Sequence, residues 1–196
     1  MVISSGLFIF IRKGSNKMYN GNKVKLRAYC KDDIKLAQEY MNQFDIKKNL
    51  TPGIPYPLTL ESEEKWYESM ANSKDNYSFA IEDLKNGLYL GGCGINNIDW
   101  KNSVVTVGIF IGNKDYLGKG YGTDAMKVLV KFIFDEMNIN KVKLNVYSFN
   151  ARAIRCYEKC GFKKEGVLRQ EIFREGKYYD EIVMGILKEE YVNLYN

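Results

Sequence analysis

Apolar residues along the chain alternate between two spacings, every second position and every third or fourth, and the order of these switches outlines a fold. The segment VKLR, residues 24–27, alternates as a short strand. Ile34, Ala37, Tyr40, Met41 and Phe44 then follow helical spacing, with Asp32 or Asp33 placed to cap the helix. NLTPGIPYPLTL, residues 49–60, holds all three prolines and cannot continue a helix, so it is expected to be a surface loop. Loops of this kind often border binding clefts. ESEEKWYESMANS follows as a helix with Trp66, Tyr67 and Met70 on one face.

YSFAIED, LYLGGCGINNID and SVVTVGIFIG read as three strands of an antiparallel meander, joined by turns in DLKNG and DWKN. Next come a glycine loop with its helix, the strand KVKLNVYS and the helix NARAIRCYEKCGF. The hairpin of VLRQEIFR and KYYDEIVMGIL turns at Glu175-Gly176. The pattern predicts a mixed α/β (α+β) fold: a sheet with antiparallel and parallel parts, interrupted by helices. At 196 residues one core and one domain suffice.

The segment YLGKGYGTDAMKVLVKFIF, residues 116–134, is the densest signal. Met126, Leu129, Val130, Ile133 and Phe134 define the buried face of a helix that is expected to begin just after Gly122. A helix start carries unpaired N–H groups and about half a positive charge, and glycines let a phosphate approach them. A phosphate or pyrophosphate is therefore the expected ligand, against the plainer reading that these glycines serve tight packing. Gly118-Lys119-Gly120-Tyr121-Gly122 is neither the G-x-G-x-x-G of dinucleotide folds nor a P-loop.

Composition then narrows the chemistry. The chain has no histidine, which excludes a Ser-His-Asp triad, a Cys-His dyad and histidine-ligated zinc. A net charge of +5 slightly favours anionic small molecules, and the charges alternate in sign along the chain without forming a basic block. Cys30, Cys93, Cys156 and Cys160 form no Cys-x-x-Cys pair and are expected to be free thiols in a reducing cytosol; Cys156 and Cys160 would share one helix face. The apolar run Leu7–Ile11 is too short to span a bilayer, so a cytoplasmic location is expected. Residues 1–17 read as an extension outside a domain spanning 18–196, with Leu7–Ile11 as an extra strand the competing reading.

IFIGNKDYLGKGYGTDAM, KVKLNVYSFNARAIRCYEKCGF and EGVLRQEIFREGKYYDEIVMGILKEEY, in this order, resemble the GNAT superfamily of N-acetyltransferases. Within it the likeness is to the branch of ribosomal-protein alanine acetyltransferases. The resemblance covers residues 24–191 and implies a single GNAT-like domain with a mostly antiparallel mixed sheet flanked by helices. It also implies acetyl-CoA as acyl donor, a primary amine (a small amine, an amino sugar, an antibiotic or a protein N-terminus) as acceptor and no metal. By position, the backbone of Leu117, Gly118, Lys119, Gly120, Tyr121 and Gly122, with Thr123, would hold the pyrophosphate. Ile111 would pair with the pantetheine arm, and Asn150 would meet the cofactor's amides; Asn150 is equally a good helix cap. Tyr157 would be the general acid, although Ile154, Tyr157 and Cys160 also recur at core spacing.

Two positions depart from the family. Leu117 stands where Gln or Arg is usual, and Thr106 where many relatives carry a glutamate base. The base is then open among Asp99, Glu171, Asp180 and water. A covalent route through Cys93 or Cys156 lacks a histidine to form the thiolate, so direct attack in a ternary complex is expected. The competing function is a non-catalytic acyl-CoA sensor. Nucleic acid and membrane are not expected partners, and a homodimer is possible without a stripe in the sequence that demonstrates it.

Overall fold

The alternating segments become strands and the segments of three-to-four spacing become helices across residues 19–72, 75 and 77–195, which the computed structural model describes. The proposed extension at residues 1–17 and the alternative strand Leu7–Ile11 lie outside the described residues. In chain order the elements are β1 (Val24–Arg27), α1 (Lys31–Met41), α2 (Phe44–Leu50), α3 (Leu60–Asn72), β2 (Ser78–Asp83), β3 (Tyr89–Asp99) and β4 (Val104–Ile111). The second half holds α4 (Tyr121–Glu136), β5 (Lys141–Tyr147), α5 (Ala151–Glu158), β6 (Lys163–Arg174), β7 (Lys177–Leu187) and α6 (Lys188–Tyr195).

The strands form one sheet in the order β1-β2-β3-β4-β5-β7-β6. Only β4 and β5 run parallel; every other neighbouring pair is antiparallel. The mixed, mostly antiparallel sheet expected from the sequence is therefore observed.

Strand alternation sends side chains to two cores. On one face Ile81, Leu90, Val105, Val107 and Leu144 pack with Met126, Leu129 and Ile133 of α4. On the other, Ala80, Tyr89 and Phe110 pack with Ala37 and Tyr40 of α1. Among the described residues no helix is long and apolar enough to cross a membrane.

Three helix boundaries differ from expectation. The cap of α1 is Cys30, and Asp33, three residues into the motif, accepts the Cys30 N–H at 2.9 Å. Arg27 grips both oxygens of Asp33, which fixes the carboxylate there. Phe44 does not extend α1. Asn42 exchanges two hydrogen bonds with the backbone of Leu58 (2.7 and 2.8 Å), so the chain breaks after Met41 and Phe44 opens α2 half-exposed. Finally, α4 starts at Tyr121, two residues earlier than expected, because Gly120 adopts φ +86° and serves as its cap.

Asp124, in the first turn of α4, accepts the backbone N–H groups of Asn22, Lys23 and Val24 at 3.0, 2.7 and 3.0 Å. It thereby ties the start of β1 to the helix that carries the glycine loop. Hydrogen bonds to a charged group are worth about 1.5–3 kcal/mol each. Asp124→Ala is expected to cost at least ~3 kcal/mol in a urea melt; a loss under ~1 kcal/mol would show that water replaces the carboxylate.

Candidate active site

β4 and β5 pair only from Val104–Thr106 against Lys141–Lys143, and no pairing follows. β3 continues along β4 as far as Ile111. From Val107 onward the other edge of β4 therefore offers backbone groups with no strand partner. This opening, with the N-terminus of α4 and one side of α5, lines a cavity of about 530 Å³.

The glycine loop forms one end. A 3-10 turn, Lys114–Tyr116, leads into it. Gly118 and Gly120 hold positive φ (+72° and +86°), which curls the chain so that the amides of residues 118–123 are left without backbone partners at the start of α4. Leu117 differs from expectation: it borders the cavity, but its N–H donates to Lys114 at 3.2 Å and is not free for a ligand. Lys119 does not line the cavity, and its carbonyl accepts from Lys23 Nζ at 2.8 Å. That brings Lys23, a residue the sequence reading missed, to the loop, where its ammonium also lies 5.2 Å from the Tyr121 ring centre. Gly122 faces Ile111 and Cys156; a Cβ there would stand 3.6 Å from Ile111 and 3.9 Å from Cys156.

Thr123 and Asn150 are both partly committed within the protein. The Thr123 hydroxyl donates to Cys156 Sγ at 3.3 Å. Asn150 caps α5, accepting the Ala153 N–H at 3.2 Å, and also borders the cavity. Cys156 lines the cavity too, its thiol held below the usual range by Cys160 and by the Thr123 hydroxyl, while burial opposes the shift. Cys93 is buried away from the cavity lining, and burial pushes its thiol up, both of which argue against it as a nucleophile.

Tyr157 lies on the cavity side of α5 and is 7% exposed, its ring 6.0 Å from that of Phe162. Burial, with the neighbouring Cys156 and Cys160, raises its phenol well above the ordinary tyrosine value. The group is therefore protonated at neutral pH and holds its proton more tightly than a free phenol. Its expected core packing and its place at the cavity coexist.

The other end of the cavity lies on the α1 face of the sheet. Val105, Leu144 and Val146 point into the α4 core, so Thr106, Asn145 and Tyr147 point the opposite way. Glu181 of β7 stands opposite Tyr147 in the ladder and shares that face. Asp45, Ile46, Asn49 and Leu50 of α2 cover it. None of the three acids considered from sequence reaches the cavity. Asp99 accepts from Asn102 in a turn, Asp180 accepts the Gln170 N–H, and Glu171 sits in a bulge of β6. The carboxylates that do line it are Asp45 and Glu181. Among the described residues no cluster of His, Cys, Asp or Glu could hold a metal.

A profile for the acetyltransferase (GNAT) domain matches residues 23–163. The chain belongs to the GNAT acetyltransferases. It is 32% identical over 174 residues to the prophage-derived N-acetyltransferase YokL of Bacillus subtilis, covering 88% of this chain and 94% of that one. An aminoglycoside N(6')-acetyltransferase of Klebsiella pneumoniae is 25% identical over 168 residues, covering 81% and 83%. The spermidine N-acetyltransferase of Vibrio cholerae, solved with CoA and spermine, superposes with a TM-score of 0.79 at 26% identity, covering 87% and 98%. The same enzyme also forms a dodecamer. GNAT membership and these relatives make the chain an acetyl-CoA-dependent N-acetyltransferase. Those relatives whose names state an acceptor are of spermidine and aminoglycoside type, in place of the ribosomal-protein alanine branch that the sequence resembles.

Proposed function

We propose that this GNAT enzyme acetylates a primary amine of a polycationic acceptor, by direct attack on acetyl-CoA within a ternary complex. The observation that carries the reading is the charge arrangement of the cavity. Arg152, Arg155 and Lys159 line it together with the bare amides of the glycine loop, while Asp45 and Glu181 lie on the α2-covered face. A pyrophosphate suits the first set and an ammonium-bearing chain suits the second. The spermidine and aminoglycoside relatives support the same acceptor class.

In this reading the amides of Gly118, Gly120, Tyr121 and Gly122, with Thr123, hold the pyrophosphate. Leu117 contributes its side chain and no N–H. The free β4 edge ending at Ile111 pairs with the pantetheine arm as an added strand would, and a backbone N–H there meets the thioester oxygen as charge develops. Asn150 offers its amide NH₂ to the arm. The amine attacks from the α2 side, the C–N bond forms, the C–S bond breaks, and Tyr157 protonates the departing sulfur. The active domain comprises residues 18–196, with 1–17 outside it. The dodecameric neighbour supports assembly of this chain into an oligomer, of which a homodimer is the smallest form.

Thiol release from acetyl-CoA, measured against polyamines, aminoglycosides, amino sugars and peptides with a free N-terminus, tests the acceptor class. Polyamines and aminoglycosides are expected to give the highest kcat/KM. Peptides as the best acceptors would restore the protein N-terminus reading. Silence across the panel, with acetyl-CoA still bound, would overturn the acceptor assignment.

A further inference from the structure

We propose that Glu181 takes the proton released by the acceptor nitrogen, so that β7 supplies the base in this chain. The inference rests on the reading of the acceptor as an amine.

The amine must reach the thioester from the α2 side of the opening between β4 and β5, and the side chains available there are few. Thr106, at the point where the two strands part, carries a neutral hydroxyl that cannot hold an added proton at neutral pH. Asn145 is an amide. Of the two carboxylates lining the cavity, Asp45 is exposed and pairs with Lys114 at 3.3 Å. Glu181 forms no ion pair among the described residues and is only partly exposed.

Its orientation is set by the sheet. Glu181 stands opposite Tyr147 in the antiparallel ladder and diagonal to Asn145, so all three share the face that α2 covers. Asn145 Nδ2 donates to Glu181 Oε2 at 2.9 Å. One carboxylate oxygen is thereby anchored, and Oε1 remains free to receive a proton. Asn145 is thus a positioning residue for Glu181.

The step balances as follows. The acceptor enters as a neutral amine, having lost its first proton to solvent, and its lone pair attacks the thioester carbon. The nitrogen of the adduct is then cationic and far more acidic than a free ammonium, whose reference pKa is about 10.4. Glu181 removes one proton from this nitrogen, the C–S bond breaks with its electron pair on sulfur, and Tyr157 protonates that sulfur. The products are the N-acetylated amine and CoA as a thiol. The proton on Glu181 returns to the Tyr157 phenolate through solvent, restoring both groups. A carboxylate also attracts the other ammonium groups of a polycationic acceptor, so Glu181 lowers KM for such a cation as well as raising kcat. A group that only bound the cation would affect KM alone.

Glu181→Gln preserves size and can still accept from Asn145, while removing the charge. With the best acceptor found for the wild type, kcat is expected to fall at least ~100-fold, the lower end of what general bases contribute, with acetyl-CoA affinity by calorimetry unchanged. Glu181→Asp keeps the carboxylate and is expected to recover part of that loss. A kcat for Glu181→Gln within threefold of wild type, a change confined to KM, or an Asp variant no better than Gln would each overturn the proposal. These outcomes leave the acceptor assignment standing, because they require an active wild type; a wild type inert toward every amine would overturn both.

Discussion

Tyr157→Phe is expected to lower kcat by ~10²–10⁴ while leaving acetyl-CoA affinity and folding unchanged. The phenylalanine ring can occupy the same place against Phe162, since only the hydroxyl is removed from a side chain that is already buried. The loss falls on the chemical step because, among the described residues, Tyr157 is the one phenol that α5 brings to the cavity, and the Cys156 thiol beside it is engaged by the Thr123 hydroxyl. A phenol with its proton affinity raised by burial looks like a poor acid beside a thiol of reference pKa about 8.5. The comparison in water is misleading here. The same dry surroundings disfavour the thiolate, since burial pushes up the thiol of Cys93 in the core and opposes the lowering of Cys156 beside the cavity. Proton transfer then replaces one buried anion by another, which the enzyme can balance, whereas Phe would strand the thiolate. Steady-state kinetics with calorimetry on both proteins decides the matter. An unchanged kcat would assign Tyr157 to packing alone.

Most of the fold was legible because its signals are local. The meander β2-β3-β4 announces itself through alternation and short turns, and α4 through Met126, Leu129, Val130, Ile133 and Phe134, all buried as expected. The start of α4 was misplaced by two residues because the positive φ of Gly120 is a property of the folded loop, and three glycines in series do not say which one caps the helix. Tyr157 and the loop amides were found as candidates since they lie inside contiguous motifs. Glu181 and Asp45 were missed for the opposite reason. They are more than 100 positions apart and meet only because β5 leaves β4 after Lys143 and α2 folds over the gap. No pattern within either segment marks that meeting. The ladder register alone would have helped: Glu181 opposite Tyr147 puts a carboxylate on the same face as Thr106.

Gly122→Leu is expected to weaken acetyl-CoA binding by ~10²–10⁴ while leaving the protein as stable as before or slightly more so. Gly118 and Gly120 are required by their backbone angles, and any side chain there strains the loop. Gly122 is different. Its φ lies outside the left-handed region, and its missing Cβ would meet Ile111 and Cys156 at ordinary contact distances. A β-carbon at this position therefore fits the fold, the rest of the leucine has the open cavity to enter, and replacing glycine in a helical turn gains about half a kcal/mol from propensity. What it cannot do is leave room for the ligand, because it projects between the tip of β4 and α5 where the amides at the start of α4 open into the cavity. Losing two hydrogen bonds from amides to a charged phosphate, at about 1.5–3 kcal/mol each, gives the stated range. The two readouts separate function from packing. If these glycines served only close packing of the helix, Leu would lower the melting temperature and spare binding; a ligand cradle predicts the reverse, and calorimetry beside a thermal melt distinguishes them.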